Sequence, residues 1–187
     1  MKGDSVGKNK DLAGEMFANI KMADMSETDK ANMTEPKQAA GLLGNMKGDA
    51  IGKNKDLAGE MFANMMGATI DEQDKAKMTD PAQATALLSA ISSENMGKNK
   101  GLLGDMFANM KMGDMTEANK ATMTDPKQAG ALLGNLKGDD IGKNKDLAGE
   151  MFTNIKISEM DQDTKDKLFE PQQSAAVLGS VDPKSFR

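Results

Sequence analysis

The sequence predicts an all-α fold, an α-solenoid of four tandem 45-residue repeats, on three observations. The segment from Gly7 to Phe17 returns almost unchanged at Gly52 to Phe62, Gly97 to Phe107 and Gly142 to Phe152, with no gap in register. A fixed period of this length is the signature of a stacked repeat array. Apolar residues recur at helical spacing in every repeat, and no segment sustains the alternation of a strand. We therefore expect about three helices per repeat, the middle one short.

The register divides the chain into one elongated domain with repeats 1–45, 46–90, 91–135 and 136–180, and residues 181–187 start a further repeat or form a C-terminal tail. Residues 1–4 match residues 46–49 in phase, which favours a segment of a longer array. One repeat alone is not expected to fold, because burying its roughly eight large apolar side chains is largely offset by the entropy lost in ordering about 45 residues.

Each repeat is predicted to open with a turn, which in repeat one is Met1 to Gly7 with Val6 as an apolar anchor. The first helix follows from about Lys10 to Lys21, because Asn9 is a good N-cap and Asp11 suits the positive end of the helix dipole. Its apolar face, spaced i, i+4, i+5 and i+8, consists of Leu12, Met16, Phe17 and Ile20.

The second and third helices are separated by Thr34-Glu35-Pro36. The second is predicted over 27–33, after the N-cap Ser26, whose place is taken by Thr116 and Asp161 in repeats three and four. Proline closes this helix and suits the first turn of the third. The third helix carries Ala39, Leu42, Leu43 and Met46 on one face and is predicted to end at Gly48, a suitable C-terminal cap.

The third helix also resembles a known type of repeat. Residues 36–46 read Pro-Lys-Gln-Ala-Ala-Gly-Leu-Leu-Gly-Asn-Met, which is similar to the Pro-x-x-Ala-Ala-x-Leu-Leu-x-x-Met helix of the armadillo-like superhelical domains in the MgtE N-terminal region and the flagellar switch protein FliG. Val181-Asp182-Pro183-Lys184 is similar to the start of such a helix. The resemblance implies a superhelical architecture. It does not extend to the Lys-Asn-Lys block, so neither magnesium sensing nor motor switching is carried over.

Composition excludes several kinds of chemistry. The net charge is −5, from 24 basic and 29 acidic residues, and the single arginine is Arg187, which disfavours nucleic-acid binding. Without Cys or His there are no disulfides, no thiolate or imidazole metal sites and no Cys or His catalysis. We therefore expect that the protein is not an enzyme and that it binds neither a cofactor nor a small-molecule substrate. The sequence contains no apolar run of about 18 residues, the length expected of a membrane span. The 18 methionines, which are prone to oxidation, favour a location in the reducing cell interior.

The repeated Gly-Lys-Asn-Lys segment has two interpretations. Stacked repeats would align its lysines into a ladder that binds a polyanion or an acidic protein. Alternatively, the lysines are solvated or paired with acids, and the asparagines cap helices and bond to the next repeat; this second interpretation is favoured. The candidate interaction ladder comprises Lys8, Asn9, Lys10, Lys53, Asn54, Lys55, Lys98, Asn99, Lys100, Lys143, Asn144 and Lys145.

A second set of recurrent residues is predicted to pack at the repeat junctions. A glycine in mid-helix costs about 1 kcal/mol relative to alanine, and its recurrence in every repeat indicates close approach of the next repeat. The Met-Phe pair that follows fits sulfur–aromatic packing. These residues are Gly14, Met16, Phe17, Gly59, Met61, Phe62, Gly104, Met106, Phe107, Gly149, Met151 and Phe152.

Two metal-site patterns were weighed against packing. Met110-x-Met112-x-x-Met115 and Met22-x-x-Met25 resemble thioether sites for Cu(I). The position of Met25 and Met115 holds Ile70 in repeat two, and the position of Met33, Met78 and Met123 holds Leu168 in repeat four. Ile and Leu cannot ligate copper, so core packing is favoured. The acids Asp49, Glu94 and Asp139 do not form a calcium loop, because Ile51 and Lys53 occupy positions that need oxygen ligands.

Together these features predict a non-catalytic structural or scaffold repeat protein that self-associates or forms part of a longer array or filament, with copies of itself as the partner. One alternative is a protein- or polyanion-binding module that uses the ladder. A second alternative is a methionine-rich metal-binding protein.

Overall fold

The computed structural model describes residues 6–65 and 70–181, which contain fifteen α-helices and no strand. The Phe helices, which carry the Met-Phe pairs, are α1 (Lys10–Asn19), α5 (Lys55–Asn64), α9 (Lys100–Asn109) and α13 (Lys145–Asn154). The middle helices are α2 (Glu27–Thr34), α6 (Glu72–Met78), α10 (Glu117–Met123) and α14 (Gln162–Phe169). The Pro helices are α3 (Pro36–Asn45), α7 (Pro81–Ala90), α11 (Pro126–Asn135) and α15 (Pro171–Ser180). The opening helices are α4 (Gly48–Lys53), α8 (Ser93–Lys98) and α12 (Gly138–Lys143).

The helices stack repeat on repeat, which confirms the predicted all-α solenoid. Each Pro helix contacts the middle helix and the Phe helix of the following repeat, as α3 does with α6 and α5. Each Phe helix contacts the opening helix of the following repeat, as α1 does with α4. Buried side chains from all four repeats form one continuous hydrophobic core. Neighbouring repeats therefore complete one another's cores.

The opening helices are an addition to the predicted elements. The sequence analysis placed a turn here and treated Gly48 as the C-terminal cap of the third helix, but α3 ends at Asn45 and Gly48 is the first residue of α4. The short helix is stabilised by packing: Ile51 is fully buried, and Gly48 lies so close to Ala86 of α7 that a Cβ atom would overlap it. Most of the predicted turn in repeat one, residues 1–5, lies outside the described residues.

The other helix ends lie close to their predicted positions. Asn9 Oδ1 accepts a hydrogen bond from the Leu12 N–H at 3.3 Å, and Ser26 Oγ accepts one from the Asp29 N–H at 3.1 Å. Thr116 and Asp161 cap α10 and α14 as predicted. The first helix ends two residues earlier than predicted, at Asn19. Residue 20 has an extended backbone, and a 3₁₀ turn, Met22–Asp24, leads into the middle helix.

Candidate functional site

The ladder lysines lie between the opening helix and the Phe helix of each repeat, and all eight are exposed to solvent. Two of them form ion pairs, Lys98 with Glu94 and Lys143 with Asp140, each at 2.9 Å. The hydrogen bond and the negative charge of Asp140 raise the pKa of Lys143. Within residues 6–65 and 70–181, the other six make no ion pair.

The ladder asparagines instead join adjacent repeats. Asn54 Nδ2 donates to the carbonyl oxygens of Phe17 at 2.9 Å and Ile20 at 2.8 Å, both at the end of α1. Asn144 makes the equivalent bonds to the carbonyls of Phe107 and Met110. Asn99 makes one such bond, to the carbonyl of Phe62. The prediction that these asparagines bond to the next repeat is therefore wrong, because the bonds run to the preceding repeat. The reason is that carbonyls at a helix C-terminus lack intrahelical donors, and the preceding Phe helix presents them here.

Glutamine side chains form a second set of bonds between repeats, which the sequence analysis missed. Gln83 Nε2 donates to the carbonyls of Leu43 and Met46 at the end of α3. Gln173 makes the same pair of bonds to Leu133 and Leu136, and Gln128 bonds to Leu88. The available signal was periodicity, because glutamine is the third residue of every Pro helix: Gln38, Gln83, Gln128 and Gln173.

The recurrent glycines of the Phe helices lie against the opening helix of the following repeat. A Cβ atom on Gly14 would lie 2.8 Å from the Cβ of Ala50, and one on Gly59 or Gly104 would overlap Asn95 or Asp140. Gly149 in the last repeat is also buried. The missing side chain thus lets consecutive repeats approach more closely than an alanine would permit.

Two ion pairs also connect consecutive repeats. Lys47 Nζ lies 2.5 Å from Asp11 Oδ1, and Lys75 Nζ lies 2.7 Å from Asp105 Oδ2. In each case the hydrogen bond and charge of the aspartate raise the pKa of the lysine. The second pair lies in a polar cleft of about 560 Å³ formed by repeats two to four, where Lys137, Lys143, Asp139 and Asp140 also contribute. Lysines and acids alternate around this cleft.

The first repeat exposes side chains that the internal repeats bury. Leu12 and Met16 of α1 are each 52% exposed, whereas the equivalent leucines and methionines of α5, α9 and α13 are all buried. The predicted packing of Met16 at a repeat junction is therefore wrong, because among the described residues no Pro helix lies before α1 to cover it. Asn9 and Gln38 lie in this repeat too, and among the described residues the side-chain Nδ2 and Nε2 groups have no acceptor. We call this surface the N-terminal face, defined by Asn9, Leu12, Met16 and Gln38.

The last repeat has a complementary exposed surface. Leu178 of α15 is 49% exposed, whereas the equivalent Leu43, Leu88 and Leu133 are fully buried. With Phe169 and Ile157 it borders an apolar groove of about 320 Å³, whose walls include Ile155 and Val177. We call this surface the C-terminal face, defined by Ile155, Ile157, Phe169, Val177 and Leu178.

The methionines of the described residues mostly fill the core. Of the cluster considered for Cu(I), Met110 and Met115 are buried and Met112 packs against the core. The Thr85 hydroxyl donates to the Met110 sulfur at 3.5 Å. Within the described parts of the chain, no three Asp, Glu, His or Cys residues lie together as a set of metal ligands. In the same ranges, no helix has the length and apolar character needed to cross a bilayer.

The fold and these surfaces define a class of protein, an all-α repeat solenoid whose two end faces are apolar. No family model matches the chain, and no significant match was found among curated proteins or solved structures.

Proposed function

We propose that this protein is a non-catalytic structural scaffold that self-associates into longer arrays through its two end faces. The observation that carries this proposal is the contrast between ends and interior: Leu12, Met16 and Leu178 are half-exposed, and the same positions at internal junctions are buried. Large apolar side chains grouped on one surface mark a site of association. Solenoids that remain monomeric end in repeats with a polar outer face.

Sedimentation velocity over a range of protein concentrations tests this function. We expect the average mass to rise above the 19.9 kDa of one chain as concentration increases, and Leu12→Asp to shift the rise to at least tenfold higher concentration. Ala121→Asp adds the same charge at an exposed position of α10 and should behave as wild type. A monomer at every concentration would refute the proposal.

A second candidate function is a binding module that uses the lysine ladder, favoured by the six exposed lysines without ion pairs. The probe is polyglutamate, an acidic polymer without other chemistry. Two fourfold Lys→Gln variants with the same charge change are compared. The ladder variant changes Lys10, Lys55, Lys100 and Lys145, and the control changes the exposed Lys21, Lys37, Lys111 and Lys127. Greater loss of polyglutamate affinity in the ladder variant supports the module, and equal losses would mean attraction by overall charge alone.

A further inference from the structure

We infer that copies of this chain join head to tail, with repeat one of one copy seated on repeat four of the next in the register of a fifth repeat. The occupant of the C-terminal face is therefore the N-terminal face of a second copy. This inference rests on the proposed self-association and adds its polarity and register. The contacts within the chain supply the template, because the same junction occurs between every pair of consecutive repeats.

The apolar side chains of the two faces correspond to those at the internal junctions. There, the Phe helix of one repeat packs on the Pro helix of the repeat before it, as α5 does on α3 and α13 on α11. Their leucines are buried on both sides of the contact. The two members of this pair left without a partner are α1, with Leu12 and Met16, and α15, with Leu178. Placing α1 on α15 covers all three side chains.

The last repeat is also unlike a solubilising cap. Thr34, Thr79 and Thr124 end the middle-helix region of the first three repeats, and each hydroxyl donates to a carbonyl one turn earlier. The equivalent residue of repeat four is Phe169, which is exposed beside the apolar groove. A phenylalanine at this position adds apolar surface on the side where another repeat would stack.

The hydrogen-bonding groups also follow the internal pattern. At the internal junctions Gln83 and Gln173 donate to two carbonyls at the end of the preceding Pro helix. By the same register, Gln38 of an incoming copy would donate to the carbonyls of Leu178 and Val181. Asn9 Nδ2 would likewise reach the carbonyl of Ile155, the equivalent of Ile20. Within the described residues, the Nε2 group of Gln38 has no acceptor of its own.

The charges at the two faces are compatible with this polarity. Lys75 of α6 pairs with Asp105 of α9 in the next repeat at 2.7 Å, whereas the equivalent Lys30 and Lys120 pair with glutamates of their own helices. Every repeat has a lysine at the position of Lys75 and an acid at the position of Asp105. Across the proposed contact these are Lys165 of one copy and Glu15 of the next, a pair of opposite charge. Joining two N-terminal faces would bring Glu15 near another Glu15 instead.

Zero-length carbodiimide cross-linking of the wild-type chain tests the register, because it joins only a lysine and a carboxylate that already touch. An equimolar mixture of ¹⁵N-labelled and unlabelled protein distinguishes links between copies from links within one. We expect a mixed-isotope Lys165–Glu15 link, with the Lys75–Asp105 link within one chain as the internal control. Oligomers without a mixed-isotope link between repeat four and repeat one would overturn the register and leave self-association standing. Absence of oligomers would refute both the register and the proposed self-association.

Charge exchange provides a second, independent readout. Glu15→Lys and Lys165→Glu each place like charges across the contact, so each variant alone should need at least a severalfold higher concentration to associate. In an equimolar mixture, every head-to-tail contact between unlike variants has opposite charges, and association should return toward wild type. Both residues lie on the ends of the array, so the variants are expected to fold. A mixture that associates no better than either variant alone would overturn the inference.

Discussion

At the scale of single residues, a glycine and an alanine define how closely consecutive repeats can approach. Gly14 of α1 faces Ala50 of α4, and a Cβ atom on Gly14 would lie 2.8 Å from that of Ala50. Neither methyl group has a torsion that relieves the overlap, so the two helices would have to separate. Gly14 therefore lowers the helix propensity of α1 but lets α1 pack more closely on α4.

We predict that Gly14→Ala lowers the free energy of unfolding by about 1–2 kcal/mol, because overpacking, about 1–3 kcal/mol, exceeds the gain of up to about 1 kcal/mol in helix propensity. Urea unfolding followed by circular dichroism measures the change. Gly101→Ala in α9 is the control, because nothing lies within 4 Å of its added Cβ, and it should be neutral or stabilising. A stabilising Gly14→Ala would show that the repeats are not in close contact there.

The chain offers its own control for the glutamine bonds. Gln83→Ala leaves the carbonyls of Leu43 and Met46 without their donor, and we expect a loss of about 1–3 kcal/mol in the free energy of unfolding. Gln38→Ala removes the same residue type from the same position in repeat one, where the Nε2 group has no acceptor among the described residues. Measured by urea unfolding at low protein concentration, Gln38→Ala should change little. Equal losses would show that the glutamine stabilises its own helix and not the junction.

At the scale of helices, capping residues determine where each middle helix begins. Asp161 Oδ1 accepts a hydrogen bond from the Thr164 N–H at 2.7 Å. The backbone and side-chain hydrogen bonds of Thr164 lower the pKa of Asp161. Because the folded pKa lies below the unfolded one, the stabilisation is present above the unfolded pKa. It is lost as pH falls through the folded pKa.

We therefore predict that Asp161→Asn makes the stability of the protein less dependent on pH below about pH 4, since asparagine retains a cap oxygen but does not titrate. Thermal unfolding midpoints, measured from neutral to acidic pH for wild type and variant, check this. Thr116→Asn, at the equivalent neutral cap, is the control and should leave the pH profile unchanged. An identical acid profile for Asp161→Asn and wild type would contradict the prediction.

The opening helices show where local sequence signals were insufficient. Gly48 and Gly138 begin α4 and α12, and neither helix has a side-chain cap at its N-terminus. Short, glycine-rich and polar, these segments have the composition of turns. They become helical because Ile51 and Ile141 are buried and because the glycines fit against alanines of α7 and α15. Tertiary packing overrides a weak local preference here.

At the scale of the whole molecule, the position of a repeat in the array decides what its residues contribute. Leu88 and Leu178 occupy equivalent positions, but Leu88 is buried and Leu178 is half-exposed. We predict that Leu88→Ala costs about 2–5 kcal/mol of unfolding free energy. Leu178→Ala should cost far less in the monomer, as measured by urea unfolding at low concentration. Similar costs would mean that the C-terminal face is covered in solution.

The difference in burial between equivalent residues inside the array and at its ends also bears on the proposed assembly. The leucines that are buried at the junctions inside the array recur at its ends as Leu12 and Leu178, which are half-exposed. The resemblance of the Pro helices to armadillo-like repeats stays a prediction. The chain's own internal repetition supplies the basis for the proposed array, because every repeat presents the same two complementary surfaces, one to the repeat before it and one to the repeat after it.

The sequence alone determined the repeat length, the all-α class and the starts of the Phe, middle and Pro helices, and it identified the recurrent glycines. These follow from periodicity and capping, which act over a few residues and are visible in one dimension. Tertiary structure decided that Asn54 and Gln83 reach back to the preceding repeat, that a predicted turn is a helix, and that Leu12 and Leu178 are exposed while their equivalents are buried. Such features depend on contacts between residues about one repeat apart, and only the stacked chain brings those residues together.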